Sequence, residues 1–154
     1  MIITFAGHSF VPSQNKITEI VKEQIRNHIS NDEFVTFYLG GYGHFDSICA
    51  HACRELRQEF SKVELVYVTP YRSLSEQEKI KDMQRMGIYD TSIYPPIENT
   101  PPKFAISKRN EWMMANADLV IVYVNRTYGG AYQSLQAAKR KKKKIINICD
   151  LLQS

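Results

Sequence analysis

The chain is short of the residues that staple, span or flex. It has only three cysteines in 154 residues, Cys49, Cys53 and Cys149. An odd number, with no secretory-type leader ahead of it, argues against a disulfide framework. Cys49 and Cys53 lie four apart, near His44 and His51. Structural zinc wants four converging ligands and usually closer cysteine spacing, so these thiols read as small packing residues and no metal is expected. No apolar run approaches the ~20 residues of a bilayer-spanning helix. The opening MIITFAGHSF lacks a basic segment before its apolar run and reads as a strand, so the expected location is cytoplasmic, with no membrane partner. Seven glycines and six prolines are too few for a low-complexity or collagen-like chain. With no linker or repeat, residues 1–154 are expected to form one domain. The excess charge is +4 and concentrated, because residues 139–144 read KRKKKK. The remainder is close to neutral, which excludes a uniformly basic nucleic-acid face. The lysine run itself complements the negative end of a helix, or offers a phosphate contact.

What is present alternates. Apolar runs with β-branched residues at 2–6, 34–39, 63–68 and 119–124 (LVIVYV) read as buried strands. Between them, Ile17, Ile20, Val21, Ile25 and Ile29 recur at helical spacing, as do Phe45, Ile48, Cys49, Ala52, Leu56 and Phe60. The stretch Ser75-Glu76-Gln77-Glu78 fits a capping box opening a helix that stops near Gly87. A short strand is expected within 88–94, a helix over 103–116 following Pro102, and a closing strand over 145–148. Continuous apolar strands alternating with helices predict an α/β Rossmann-like three-layer sandwich with a mostly parallel sheet.

In such sheets ligands bind beyond the carboxyl ends of the strands. That rule selects Gly7, His8 and Ser9 after the first strand, and Gly40, Gly41, Tyr42, Gly43 and Asp46 after the second. It adds Thr69 and Tyr71 after the third, then Asn125, Tyr128, Gly129, Gly130 and Gln133 after LVIVYV. Glycines before a helix let exposed N–H groups and the helix dipole meet an anion, although they also simply make tight turns. The loops match neither G-x-G-x-x-G nor a Walker lysine motif. Asp46 reads as a ribose ligand or base, or as a charge complementing the helix dipole. Arg109 reads as a phosphate clamp or a solvated helix residue. His8 reads as a phosphate contact or a loop hydrogen bonder, and the tyrosines as base-stacking or packing groups. The expected partner is a nucleotide or phosphorylated-ribose molecule, with no separate cofactor; nucleic acid is the less favoured partner.

The stretch GGYGHFDSICAHACREL resembles the glycine-rich strand-to-helix segment of DprA-like proteins. The distal RNEWMMANADLVIVYVN and YGGAYQSLQAAKRKKKKIINI are similar to the second half of the SLOG superfamily, named for the Smf/DprA and LOG proteins. The opening AGHS, the TPY after the third strand and FAISKRNEWM resemble its YpsA-like branch. The resemblance implies a Rossmann-like fold that binds nucleotides, nucleotide-derived signals or nucleic acid, and pairing into a homodimer. LOG members are phosphoribohydrolases that use an arginine and the glutamate of P-G-G-x-G-T-x-x-E. Arg109 matches the arginine by position, but Gly129-Gly130-Ala131-Tyr132-Gln133-Ser134 carries neither the threonine nor the acid. The resemblance therefore implies ligand binding first. A nucleoside-monophosphate N-glycosidase or related deoxyribosyltransferase-like enzyme, using Asp46 and Arg109, stands second. A DprA-like DNA-binding module stands third.

Overall fold

A computed structural model describes residues 1–152. Six strands, β1 (Ile2–Gly7), β2 (Val35–Leu39), β3 (Val63–Val68), β4 (Thr91–Ile93), β5 (Leu119–Tyr123) and β6 (Lys144–Asn147), form one sheet in the order β4-β3-β2-β1-β5-β6. Every pairing is parallel, so the expected sheet is realised without an antiparallel edge. Strand order reverses between β1 and β5, which places a crevice beyond Gly7 and Tyr123.

Six helices cover the sheet: α1 (Gln14–Arg26), α2 (His44–Glu59), α3 (Leu74–Arg85), α4 (Ala105–Asn116), α5 (Gly130–Arg140) and α6 (Ile148–Leu151). Because side chains alternate along a strand, each strand feeds two cores. Ile3, Phe5, Phe37, Leu65 and Ile121 meet Ile17, Val21 and Ile25 of α1 and Phe45, Ile48 and Leu56 of α2. On the opposite face Val66, Val68, Val120 and Val122 meet Met113 and Met114 of α4 and Leu135 and Ala138 of α5. Cys49 and Cys53 are fully buried in the first core, as small packing residues. Among the described residues no helix is long and apolar enough to cross a membrane.

Local signals hold with one shift. The helix cap expected at Ser75 is made by Ser73, whose hydroxyl accepts the Glu76 N–H at 3.3 Å. The box is not reciprocal, because the Glu76 carboxylate turns inward to Tyr67 and Thr69. At its other end α3 closes as expected: Gly87 takes φ +74°, with Ile88 N–H donating to the Met83 carbonyl and Gly87 N–H to that of Gln84. Asp118 ties the start of β5 to that of β1, accepting the Ile2 N–H at 2.7 Å while its own N–H donates to the Ile2 carbonyl.

Gly7 shows how tightly the crevice floor is built. A Cβ there would lie 2.4 Å from the ring of Phe45, which is fully buried. Gly7→Ala is expected to cost about 1–3 kcal/mol through overpacking, read as a lower urea midpoint with an unchanged m-value. An unaltered midpoint would show that the ring has room to yield.

Candidate functional site

Arg109 points from α4 to the carboxyl ends of β2 and β3 and is only 1 % exposed. Its Nη1 donates to the Gly40 carbonyl at 2.9 Å and to the Val68 carbonyl at 2.6 Å, and Nε donates to Asn110 Oδ1 at 2.8 Å. Burial draws its pKa below the usual value, against the nearby charge of Asp46. Gly40 is glycine for a reason of space: a Cβ would sit 3.2 Å from Asp46 Oδ2 and 3.3 Å from Arg109 Cζ. Gly41, at φ +75°, packs against Tyr67, where an added Cβ would lie 2.6 Å from the ring. Tyr42 lies under the guanidinium, its ring centroid 5.2 Å from Arg109 Cζ.

Asp46, in the first turn of α2, accepts the Tyr42 N–H at 3.1 Å. Burial pushes its carboxyl up to about 7, opposed by that hydrogen bond and by the Arg109 charge. At the start of α2, two of the N–H groups that could meet an anion are already engaged. The His44 and Phe45 N–H groups are taken by the Ser9 and His8 carbonyls, at 3.1 and 3.4 Å. The second glycine loop differs: Gly129, at φ +93°, swings the chain into α5, whose N-terminal residues Gly130 and Ala131 border a cavity.

That cavity has a volume of about 220 Å³. Gly7, His8, Ser9, Tyr42, Asp46, Arg109 and Gly130 of the expected set meet around it. Arg126, Asn110, Ala131 and Ser134 line it too. Of these, Arg126 sits beside Asn125 in a loop already singled out, and its adjacency to that residue was a readable signal. Ser134 and Asn110 carried none, since their approach depends on how α4 and α5 pack. Asn125 contributes its main-chain N–H, which donates to His8 Nε2 at 3.1 Å. Burial, then the Arg126 charge, lowers the His8 pKa, so the ring is neutral near pH 7. With Nε2 accepting, Nδ1 carries the proton, and this buried atom has no hydrogen-bond partner among the described residues.

Other expected residues lie elsewhere. Gln133 lines a larger neighbouring cleft of about 550 Å³ between α4 and α5, with Ile106, Asn110, Tyr132, Gln136 and Arg140 among its walls. Tyr71 borders a separate cleft with Pro70, Arg72 and Tyr94. Thr69 is buried against Glu76. Gly41 lines a third small cavity, which it shares with Asp46. Tyr128 stands 67 % exposed beneath Arg126, 4.9 Å from the guanidinium carbon to the ring centroid. Gly43 and Gly129 act through backbone conformation, both at positive φ.

The raised Asp46 carboxyl gives a stability signature. A folded-state value near 7 against 3.8 unfolded means that the folded protein holds the extra proton. Its contribution is fully present below pH ~4 and is lost as pH rises towards ~7. Asp46→Asn should therefore be the more stable protein at pH 8, on the order of 1–4 kcal/mol, with the gap closing towards pH 4. Urea denaturation across that range checks it; a pH-independent difference would contradict the shift.

No family model matches the sequence, and no curated protein matches it. Solved structures share the fold. DNA processing protein A from Helicobacter pylori, described for its single-stranded DNA binding mode, superposes with a TM-score of 0.59 at 18 % identity, over 94 % of this chain and 63 % of that one. DNA processing protein A from Streptococcus pneumoniae gives 0.60 at 14 % identity, over 93 % and 48 % respectively. The chain thus spans roughly half to three fifths of those proteins, and the likeness is one of fold.

Proposed function

We propose that this protein binds a nucleotide or phosphorylated-ribose ligand, with its phosphate in the cavity beside β1 and β5. The observation that carries the reading is the convergence around it of His8, Arg126 and the N-terminus of α5. A helix N-terminus and a guanidinium both favour an anion. Asp46 and Asn110 stand where ribose hydroxyls would be met. The adjoining cleft, with Ile106, Tyr132 and Gln133, offers apolar surface and an amide to a base. The shared fold and the motifs AGHS, TPY and FAISKRNEWM support a place in the SLOG superfamily and its YpsA-like branch.

Two further readings each rest on one observation. Asp46, with a carboxyl near 7, is matched to proton transfer at neutral pH, which favours a nucleoside-monophosphate N-glycosidase. Water would then replace the base at the ribose, giving free base and ribose 5-phosphate. The likeness to a protein described for single-stranded DNA binding supports a nucleic-acid strand as the source of the phosphate.

Isothermal titration with adenosine 5′-monophosphate, ribose 5-phosphate and a short single-stranded oligonucleotide separates the ligands. Replacing Arg126 by Ala is expected to weaken the phosphate ligand about 10- to 100-fold, from one lost charge-assisted contact. Wild-type affinity in both Arg126→Ala and His8→Ala would remove the phosphate from this cavity. Release of free base by the wild type but not by Asp46→Asn establishes turnover; no release from a panel of nucleoside monophosphates leaves binding alone.

A further inference from the structure

Glu76 is a buried acid that touches no part of the cavity. It is 7 % exposed in the first turn of α3, a place where a glutamate ordinarily reaches solvent or caps its own helix. Instead its Oε2 accepts the Thr69 hydroxyl at 2.5 Å and the Tyr67 hydroxyl at 3.0 Å. Lys79 Nζ stands 3.7 Å from Oε1 and 5.4 Å from the Tyr42 ring centroid. Removing a carboxylate from water is costly, and these contacts offset that cost only in this arrangement.

The two hydroxyls that Glu76 holds flank Val68, whose carbonyl receives Arg109 at 2.6 Å. The Tyr67 ring backs Gly41, the residue after the second carbonyl that receives Arg109. We infer that Glu76 is a positioning residue: it braces the end of β3 and the Gly40–Gly43 loop, and so sets Arg109, Tyr42 and Asp46 at the cavity wall. The path runs from carboxylate to hydroxyls, from those residues to two main-chain carbonyls, and from the carbonyls to the guanidinium. Glu76 acts through Arg109 and touches no ligand.

The role of Arg109 and Asp46 in ligand binding rests on the function proposed above, whereas the bracing itself does not, and the experiment keeps the two apart. Two properties are measured in the wild type, Glu76→Gln and Glu76→Ala. One is the titration midpoint of the Asp46 carboxyl by carbon-13 NMR in the free protein; the other is the affinity for adenosine 5′-monophosphate and ribose 5-phosphate. A glutamine oxygen still accepts both hydroxyls, so Glu76→Gln should keep the wild-type midpoint and bind within about twofold. Glu76→Ala frees the loop, admits water to Asp46 and should lower its midpoint, with affinity falling about tenfold. Should the alanine variant fail to fold, the double variant Tyr67→Phe/Thr69→Val removes the same two hydrogen bonds and carries the same expectation. A folded Glu76→Ala, or that double variant, with the wild-type Asp46 midpoint overturns the inference. A wild type that binds neither phosphate ligand sinks the proposed function, while the Asp46 midpoint still decides the bracing.

Discussion

A guanidinium held inside a protein by main-chain oxygens dictates much of what surrounds it. Arg109 reaches from α4 to the carbonyls of Gly40 and Val68, at the ends of two neighbouring strands. To accept it, the chain after β2 comes close, and a Cβ at Gly40 would press on Asp46 and Arg109 at 3.2 and 3.3 Å. The Asp46 carboxyl lies near the guanidinium in the first turn of α2, and its charge opposes the effect of burial on the Arg109 pKa. The bulk of the cation lies over Tyr42. The loop GGYG is thus shaped in part by an arginine 69 residues further along the chain.

The two glycine loops meet the crevice in different ways. The first loop spends its N–H groups inwardly: Tyr42 donates to Asp46, while His44 and Phe45 donate to the β1–α1 loop. The second loop leaves α5 facing the cavity, with His8 across the switch point between β1 and β5. The site has two halves of different character. One is a preformed wall of Arg109, Asp46 and Tyr42, and the other is formed by His8, Arg126 and the start of α5.

The fold was legible because its signals are local. Apolar runs at strand length and stripes at helical spacing needed no knowledge of packing, and LVIVYV became the fully buried β5. The glycine loops and Arg109 were legible as candidates through position alone. Their division of labour was not, because it depends on contacts across long sequence distances, such as Arg109 to Gly40 and His8 to Asn125. Glu76 carried no legible role, since the expected capping box paired Ser75 with Glu78. Its inward turn follows from where β3 places Tyr67 and Thr69, and no spacing rule within α3 reveals that. Gln133 faces the outer cleft rather than the cavity.

The central claim is that the cavity between His8, Arg126 and the start of α5 receives a phosphate. Nitrogen-15 NMR of the main-chain amides and histidine rings, during titration with ribose 5-phosphate, tests it most directly. The account predicts saturable shifts at the Gly130 and Ala131 amides and at His8 Nδ1, with the His44 and Phe45 amides moving little. Shifts concentrated at His44 and Phe45, or confined to the lysines of residues 139–144, would contradict it.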